Sequence, residues 1–265
     1  MGFISSLKLF VVLLACSLAC TARAQVNYLT ILAFGDSITQ GFARDADGEE
    51  YGILEPPRGA RIDWWGYEIK LEYMLEHTLG TGTSSIYNWG YHGLRSDSAL
   101  RCDQDWDCID DVLASREADM ILILLGANDP YDGISASTTK YNLSEMIDKS
   151  RARGVVPVLG TITPNSSDEA LFDPALINKS YNPLIRDLAE EKKVPLAEHY
   201  EAMDQNWDLL YTSGDGLHLN DEPGNKKLAQ NWHKAIIKYL TDPDPEPEPE
   251  PVILSPILYL LLNDS

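Results

Sequence analysis

Five residues in this chain are of types that do chemistry together, and they occur in four short stretches. Ser37 lies in "FGDSITQG", Gly93 ends "NWGYHG", Asn128 lies in "GAND", and Asp215 and His218 share the loop "SGDGLHLND". The chemistry this set would suit is acyl transfer. A serine hydroxyl is a weak nucleophile and needs an adjacent base, for which His218 is the candidate. Asp215, three residues earlier, could hold the imidazole tautomer and stabilise the imidazolium. A tetrahedral intermediate needs donors aimed at its oxyanion, and the N–H groups of Ser37 and Gly93 with the side-chain amide of Asn128 would supply three. Glycine at 93 would also let the backbone come close to the reacting carbon.

Each stretch alone has a plainer reading. Gly-Asp-Ser and Gly-x-Asn-Asp are usually turns, and Asp-x-x-His is common by chance. What sets them apart is where they fall. "YLTILAF" (28–34), "SSIYNWG" (84–90), "DMILILLG" (119–126) and "VVPVLGTIT" (155–163) read as strands, and Ser37, Gly93 and Asn128 come directly after the first three. Helices are expected over 64–78, 106–117, 137–154, 182–193 and 222–240. Continuous apolar strands alternating with helices imply a parallel sheet covered on both faces. Such sheets carry their sites at the C-terminal ends of the strands.

In order and content the four stretches resemble the blocks of the SGNH, or GDSL, family of serine esterases and lipases. The resemblance spans 28–240. It implies a flavodoxin-like three-layer α/β/α sandwich with a parallel sheet. By the same resemblance Ser37 is the nucleophile, Gly93 and Asn128 are oxyanion donors, and Asp215 and His218 are the acid and base. No cofactor and no metal is expected. An α/β-hydrolase would also run Ser, Asp, His, but its nucleophile sits in G-x-S-x-G well into the domain. This chain has Gly35-Asp36-Ser37-Ile38-Thr39 after its first strand. A reading from another class is a non-catalytic surface carbohydrate-binding module on the same fold; the intact set of five residues argues against it.

The stretch after the nucleophile, "ARDADGEEYGILEPPRGARIDWWGYE", is longer than a minimal member needs and is expected to shape the substrate pocket. Tyr51, Trp64, Trp65 and Tyr91 are the aromatics nearest the site by sequence, and aromatics can stack on sugar rings. The plainer reading of Trp65 is core at helical spacing. His92 reads as a surface or supporting residue. "DADGEE" (45–50) is a solvated acidic loop before it is a calcium loop, since it lacks the full ligand pattern.

The ends of the chain read differently from the domain. Residues 1–24 carry Lys8, the apolar run "LFVVLLACSLAC" and then Ala22-Arg23-Ala24, the pattern of a secretory signal peptide cut before Gln25. "LLAC" and "SLAC" offer lipidation at Cys16 or Cys20 as the alternative. Cys102 and Cys108 remain as an even pair, and a disulfide between them suits an oxidising compartment. Residues 241–251 form a Pro/acid-rich linker of extended character. Residues 252–265 are a short hydrophobic tail, too short to span a bilayer; a sticky disordered end and a surface-attachment signal both fit it. Membrane association would come only through that tail or the lipidation site. The expected location is therefore secreted, whether extracellular, periplasmic or held at the cell surface. Asn142, Asn165 and Asn178 begin N-x-Ser sequons, which matter only in a eukaryotic host.

The chain of 265 residues has 41 acids against 21 bases, a net charge of −20, and only five of those acids lie in the linker. Nucleic acids and anionic membranes need basic patches, so neither is an expected partner. The expected substrate is a small-molecule or polysaccharide ester with a short acyl group, acetyl in particular. Lipase, lysophospholipase and thioesterase activities are the alternatives within the same family.

Overall fold

Leu29–Gly35 forms β1, Ser84–Gly90 β2, Met120–Leu124 β3, Val156–Gly160 β4 and Leu196–Ala197 β5. All pair in parallel, in the order β2-β1-β3-β4-β5. This is the doubly wound, flavodoxin-like order, whose switch point lies between β1 and β3. The computed structural model describes residues 28–41, 43–44, 50–51, 59–61, 66–102, 106–165, 176–203 and 216–241. The signal-like segment, Asp215, Trp64, Trp65, residues 45–49 of the acidic loop, residues 242–251 of the linker and the tail lie outside the described residues.

Side chains alternate across the sheet, as a strand's period of two requires. Ile31 and Ala33 of β1 face one core, and Leu32 and Phe34 face the other. On the first face lie α2 (Tyr67–Leu79) and α8 (Lys226–Thr241), which contribute Tyr67, Leu71, Leu75, Leu228, Trp232 and Ile236. On the second lie α3 (Ser96–Leu100), α4 (Ile109–Ala114), α5 (Ala136–Ala152) and α6 (Asn182–Lys192). The result is the expected three-layer α/β/α sandwich. Two short helices complete it, α1 (Ser37–Gln40) directly after β1 and α7 (His199–Met203) after β5.

Register fixes what emerges where. Gly35, the last residue of β1, pairs with Gly90 of β2 and with Leu124 of β3. Three strands thus end level, and the chain segments bearing Ser37, Gly93 and Asn128 leave the sheet at one edge.

Several elements differ from expectation. β5 is only two residues long, too short to leave a hydrophobic period, and was not expected. α4 is shorter than the 106–117 expected. Cys108 caps its start, with the Asp111 carboxylate accepting from the Cys108 N–H at 3.2 Å, while Asp107 is drawn away to accept from the Tyr91 hydroxyl. α8 runs to Thr241, one residue into the expected linker. The Cys102–Cys108 disulfide is formed, with Cα atoms 5.2 Å apart. Among the described residues no helix is long and apolar enough to cross a membrane.

Candidate active site

Ser37 is the first residue of α1. The carboxylate of Asp36 caps that helix, accepting from the Ile38 N–H at 2.9 Å, and Gly41 closes it in the left-handed conformation at φ 82°. The turn therefore presents Ser37 at the edge of the sheet, with first-turn amides that no helical carbonyl uses. His218 comes from the far end of the chain, and its Nε2 lies 2.8 Å from the Ser37 Oγ. Both residues are buried. At that distance the imidazole can take the hydroxyl proton. Leu219 anchors the His218 segment by packing into the same core as α2 and α8.

The loops after β2 and β3 are stitched together. The Tyr91 N–H donates to the Gly35 carbonyl at 3.0 Å, and the Asn128 Nδ2 donates to the Leu94 carbonyl at 3.0 Å. Gly93 has φ +71°, and a Cβ there would meet no protein atom within 4 Å. Within the protein, then, glycine is required at 93 by its backbone conformation and not by a close neighbour.

Behind Asn128 is a polar hub whose role the sequence did not disclose. Asp129 is fully buried and accepts from the Ser96 N–H at 2.9 Å, and from the hydroxyls of Ser96 and Thr139. Asn142 donates to the Ser96 Oγ at 2.9 Å. Burial raises the Asp129 carboxyl above its usual range, against the hydrogen bonds from Ser96 and Thr139. Burial also pushes the Asp36 carboxyl up to about 7, opposed by the Ile38 N–H and reinforced by the charge of Asp129. The only hint in sequence was that each acid adjoins a candidate site residue.

The His92 ring lies 6.4 Å from that of His218, at 22° to it, and His92 is exposed, so it borders the site. Tyr91 is buried, packed edge-on by Trp106 at 5.8 Å, and is core and not an open stacking platform. Tyr51 lies in a two-residue strand, Glu50–Tyr51, paired with Ala43–Arg44. Asn142 and Asn165, two of the sequon asparagines, are buried. Cys102, Cys108 and Asp110 cluster closely, but both sulfurs are spent in the disulfide.

A profile of the GDSL-like Lipase/Acylhydrolase family matches residues 33–222. No curated relative matches the sequence. Solved structures with the same fold include Axe2, an acetylxylan esterase from Geobacillus stearothermophilus, at TM-score 0.58 and 17% identity, covering 80% of this chain and 96% of that one. A lipase/acylhydrolase from Enterococcus faecalis is similar at TM-score 0.61 and 21% identity, over 78% and 95% of the two chains. LAE5, an α/β hydrolase from the metagenome of Lake Arreo, Spain, is similar at TM-score 0.59 and 19% identity, over 79% and 95%.

Proposed function

The chain belongs to the GDSL-like lipase/acylhydrolase family and is a carboxylic ester hydrolase, and from that premise we propose that it works through an acyl-enzyme on Ser37. The observation that carries this reading is the 2.8 Å contact between the His218 Nε2 and the Ser37 Oγ. In the first step His218 takes the hydroxyl proton as Ser37 Oγ bonds to the ester carbonyl carbon. The oxyanion so formed is met by the N–H groups of Ser37 and Gly93 and by the Asn128 amide. The tetrahedral intermediate expels the alcohol, which leaves with the proton from His218. Water, deprotonated by His218, then repeats the sequence on the acyl-serine and releases the acid. Asp215, three residues before His218, holds the imidazole in this scheme.

A fluorophosphonate probe tests it. The protein should label covalently, and Ser37→Ala should neither label nor turn over ester. A folded wild-type protein that stays unlabelled would overturn the reading.

For substrate, the proposal is a short acyl ester, with an acetylated carbohydrate as the leading candidate. Support comes from the fold shared with an acetylxylan esterase and from a nucleophile that is only 4% exposed. The long-chain alternative draws on the likeness to a lipase/acylhydrolase. A series of p-nitrophenyl esters, with acetylated xylan and pectin, separates them. Turnover rising with chain length and no acetate released would favour the lipase. Export to an oxidising compartment is part of the proposal, supported by the disulfide and the signal-like first 24 residues. The exported protein should begin at Gln25; an N-terminus at a lipidated Cys16 or Cys20 would replace that reading.

A further inference from the structure

α1 is four residues long, far below the length at which a helix holds itself. Its position, and with it that of Ser37, must come from its neighbours. Two of these are glycines. A Cβ on Gly35 would fall 2.2 Å from the Thr39 Oγ1, and one on Gly90 would fall 2.0 Å from the Gln40 backbone nitrogen. α1 thus rests directly on the ends of β1 and β2. Contact sets how close it lies, but contact alone does not fix its rotation.

A directional grip comes from Asn88. Its Nδ2 donates to the Thr39 carbonyl, two residues on from Ser37. That carbonyl lies in the last turn, where no helical N–H follows to use it. Asn88 is itself held on both ends of its amide. Its Oδ1 accepts from the Gly90 N–H at 2.9 Å, and its Nδ2 also donates to Glu68 Oε1 at 2.7 Å. Both residues are nearly fully buried, Asn88 at 2% and Glu68 at 1% exposure. An asparagine inside an apolar strand and a glutamate on the buried face of a helix are costly unless used. Here one amide has both protons and its oxygen occupied, and one proton goes to the nucleophile's own turn.

We propose that Asn88 is a positioning residue for Ser37, and that Glu68 acts through Asn88 by orienting its amide. This rests on the reading of Ser37 as nucleophile. The pair does not touch the reacting atoms. It sets the rotation of α1, and so the distance and angle at which Ser37 Oγ meets His218 and the ester carbon. Small misplacements of that kind can cost up to about 100-fold in rate.

The experiment compares Asn88→Ala, Glu68→Ala, Glu68→Gln, the double alanine variant and Ser37→Ala in the full chain. It reads kcat and KM on a short p-nitrophenyl ester, active sites by endpoint fluorophosphonate titration, and Tm. Asn88→Ala should lower kcat per titrated site by roughly 10- to 100-fold with KM little moved. Glu68→Ala should do the same, and the double variant should be no worse than Asn88→Ala, because the two act as one unit. Glu68→Gln keeps an oxygen to accept from Asn88 and should restore most of kcat. An additive double variant, a Glu68→Gln as poor as Glu68→Ala, or variants that lose Tm while kcat per site stays at wild type, would each overturn the proposal. Should Asn88→Ala not fold, the Glu68 pair still decides it. Activity retained in Ser37→Ala would instead sink the nucleophile reading.

Discussion

The side-chain amide of Asn128 donates to the main-chain carbonyl of Leu94 at 3.0 Å, tying the segment after β3 to the segment after β2. One of its two amide protons is spent on this bond, and an NH2 group has another to give. One residue therefore fixes the loop that carries Gly93 and keeps a second amide proton for the oxyanion of the proposed mechanism. Asp129, next in sequence, holds the base of the same loop through Ser96.

Asn128→Ala removes both services. Loss of a single oxyanion donor typically costs about 100- to 1,000-fold in kcat. The expected result is a fall of at least that size, with KM nearly unchanged, because the donor acts on charge that appears only in the transition state. Steady-state kinetics on a p-nitrophenyl ester check this. A variant that loses only KM would show that Asn128 binds substrate and does not stabilise the oxyanion.

Gly93 and Gly90 predict opposite kinds of damage. At Gly93 there is space for a Cβ but φ is +71°, so alanine costs about 1–2 kcal/mol of backbone strain. The chain should relieve it by turning the N–H out of place. Gly93→Ala should keep its fold and lose turnover, and Gly93→Asn, which tolerates that conformation better, should lose less. Gly90→Ala would place a methyl 2.0 Å from the Gln40 nitrogen. It should fail in folding, read as insoluble protein or a large drop in Tm.

What the sequence disclosed follows from signal length. β1 and β3 are continuous apolar runs and were read nearly to the residue. Leu196–Ala197 is too short to carry any period, and the late start of α4 rests on the Tyr91–Asp107 hydrogen bond, a tertiary contact that no local pattern shows. Among the candidate site residues, Ser37, Gly93 and Asn128 stand out in the sequence because each follows a strand. Asn88, Glu68 and Asp129 do not, since their partners lie 49, 20 and 33 residues away in the chain. A polar side chain within an apolar strand was the usable clue to Asn88.

Asp36 predicts a stability that falls with rising pH. Its carboxyl has an unfolded value of 3.8 and is raised to about 7 in the fold, chiefly by burial. Between those values the folded state binds the proton and the unfolded chain does not, so stability is full below about pH 4 and drains away up to about 7. Glu68, raised by burial to about 8, works in the same direction. Asp36→Asn keeps an oxygen for the Ile38 N–H and removes the ionisation. It should unfold at higher denaturant than wild type at pH 8, by on the order of 4 kcal/mol, with the gap closing towards pH 3. A constant gap across that range would refute the assignment.

His199 predicts the opposite slope. It is fully buried, edge-on to Trp232 at 4.6 Å, and desolvation lowers its pKa to about 3 from an ordinary 6.5. As pH drops below 6.5 the unfolded chain takes up this proton and the folded one does not until about 3. Stability is therefore lost on the acid side, by about 1.4 kcal/mol per pH unit through that window. Across pH 4.5 to 6.5 this opposes Asp36 and Glu68, so the wild-type profile falls less steeply with rising pH than the two acids together would make it. His199→Gln removes the opposing term, whatever the substitution costs in packing. Urea unfolding from pH 4 to 8 should show the variant's stability falling more steeply than wild type as pH rises to 6.5, and running parallel above it. Parallel curves throughout would mean that His199 takes up its proton over the same pH range in the fold as in the unfolded chain, and that burial does not hold it neutral.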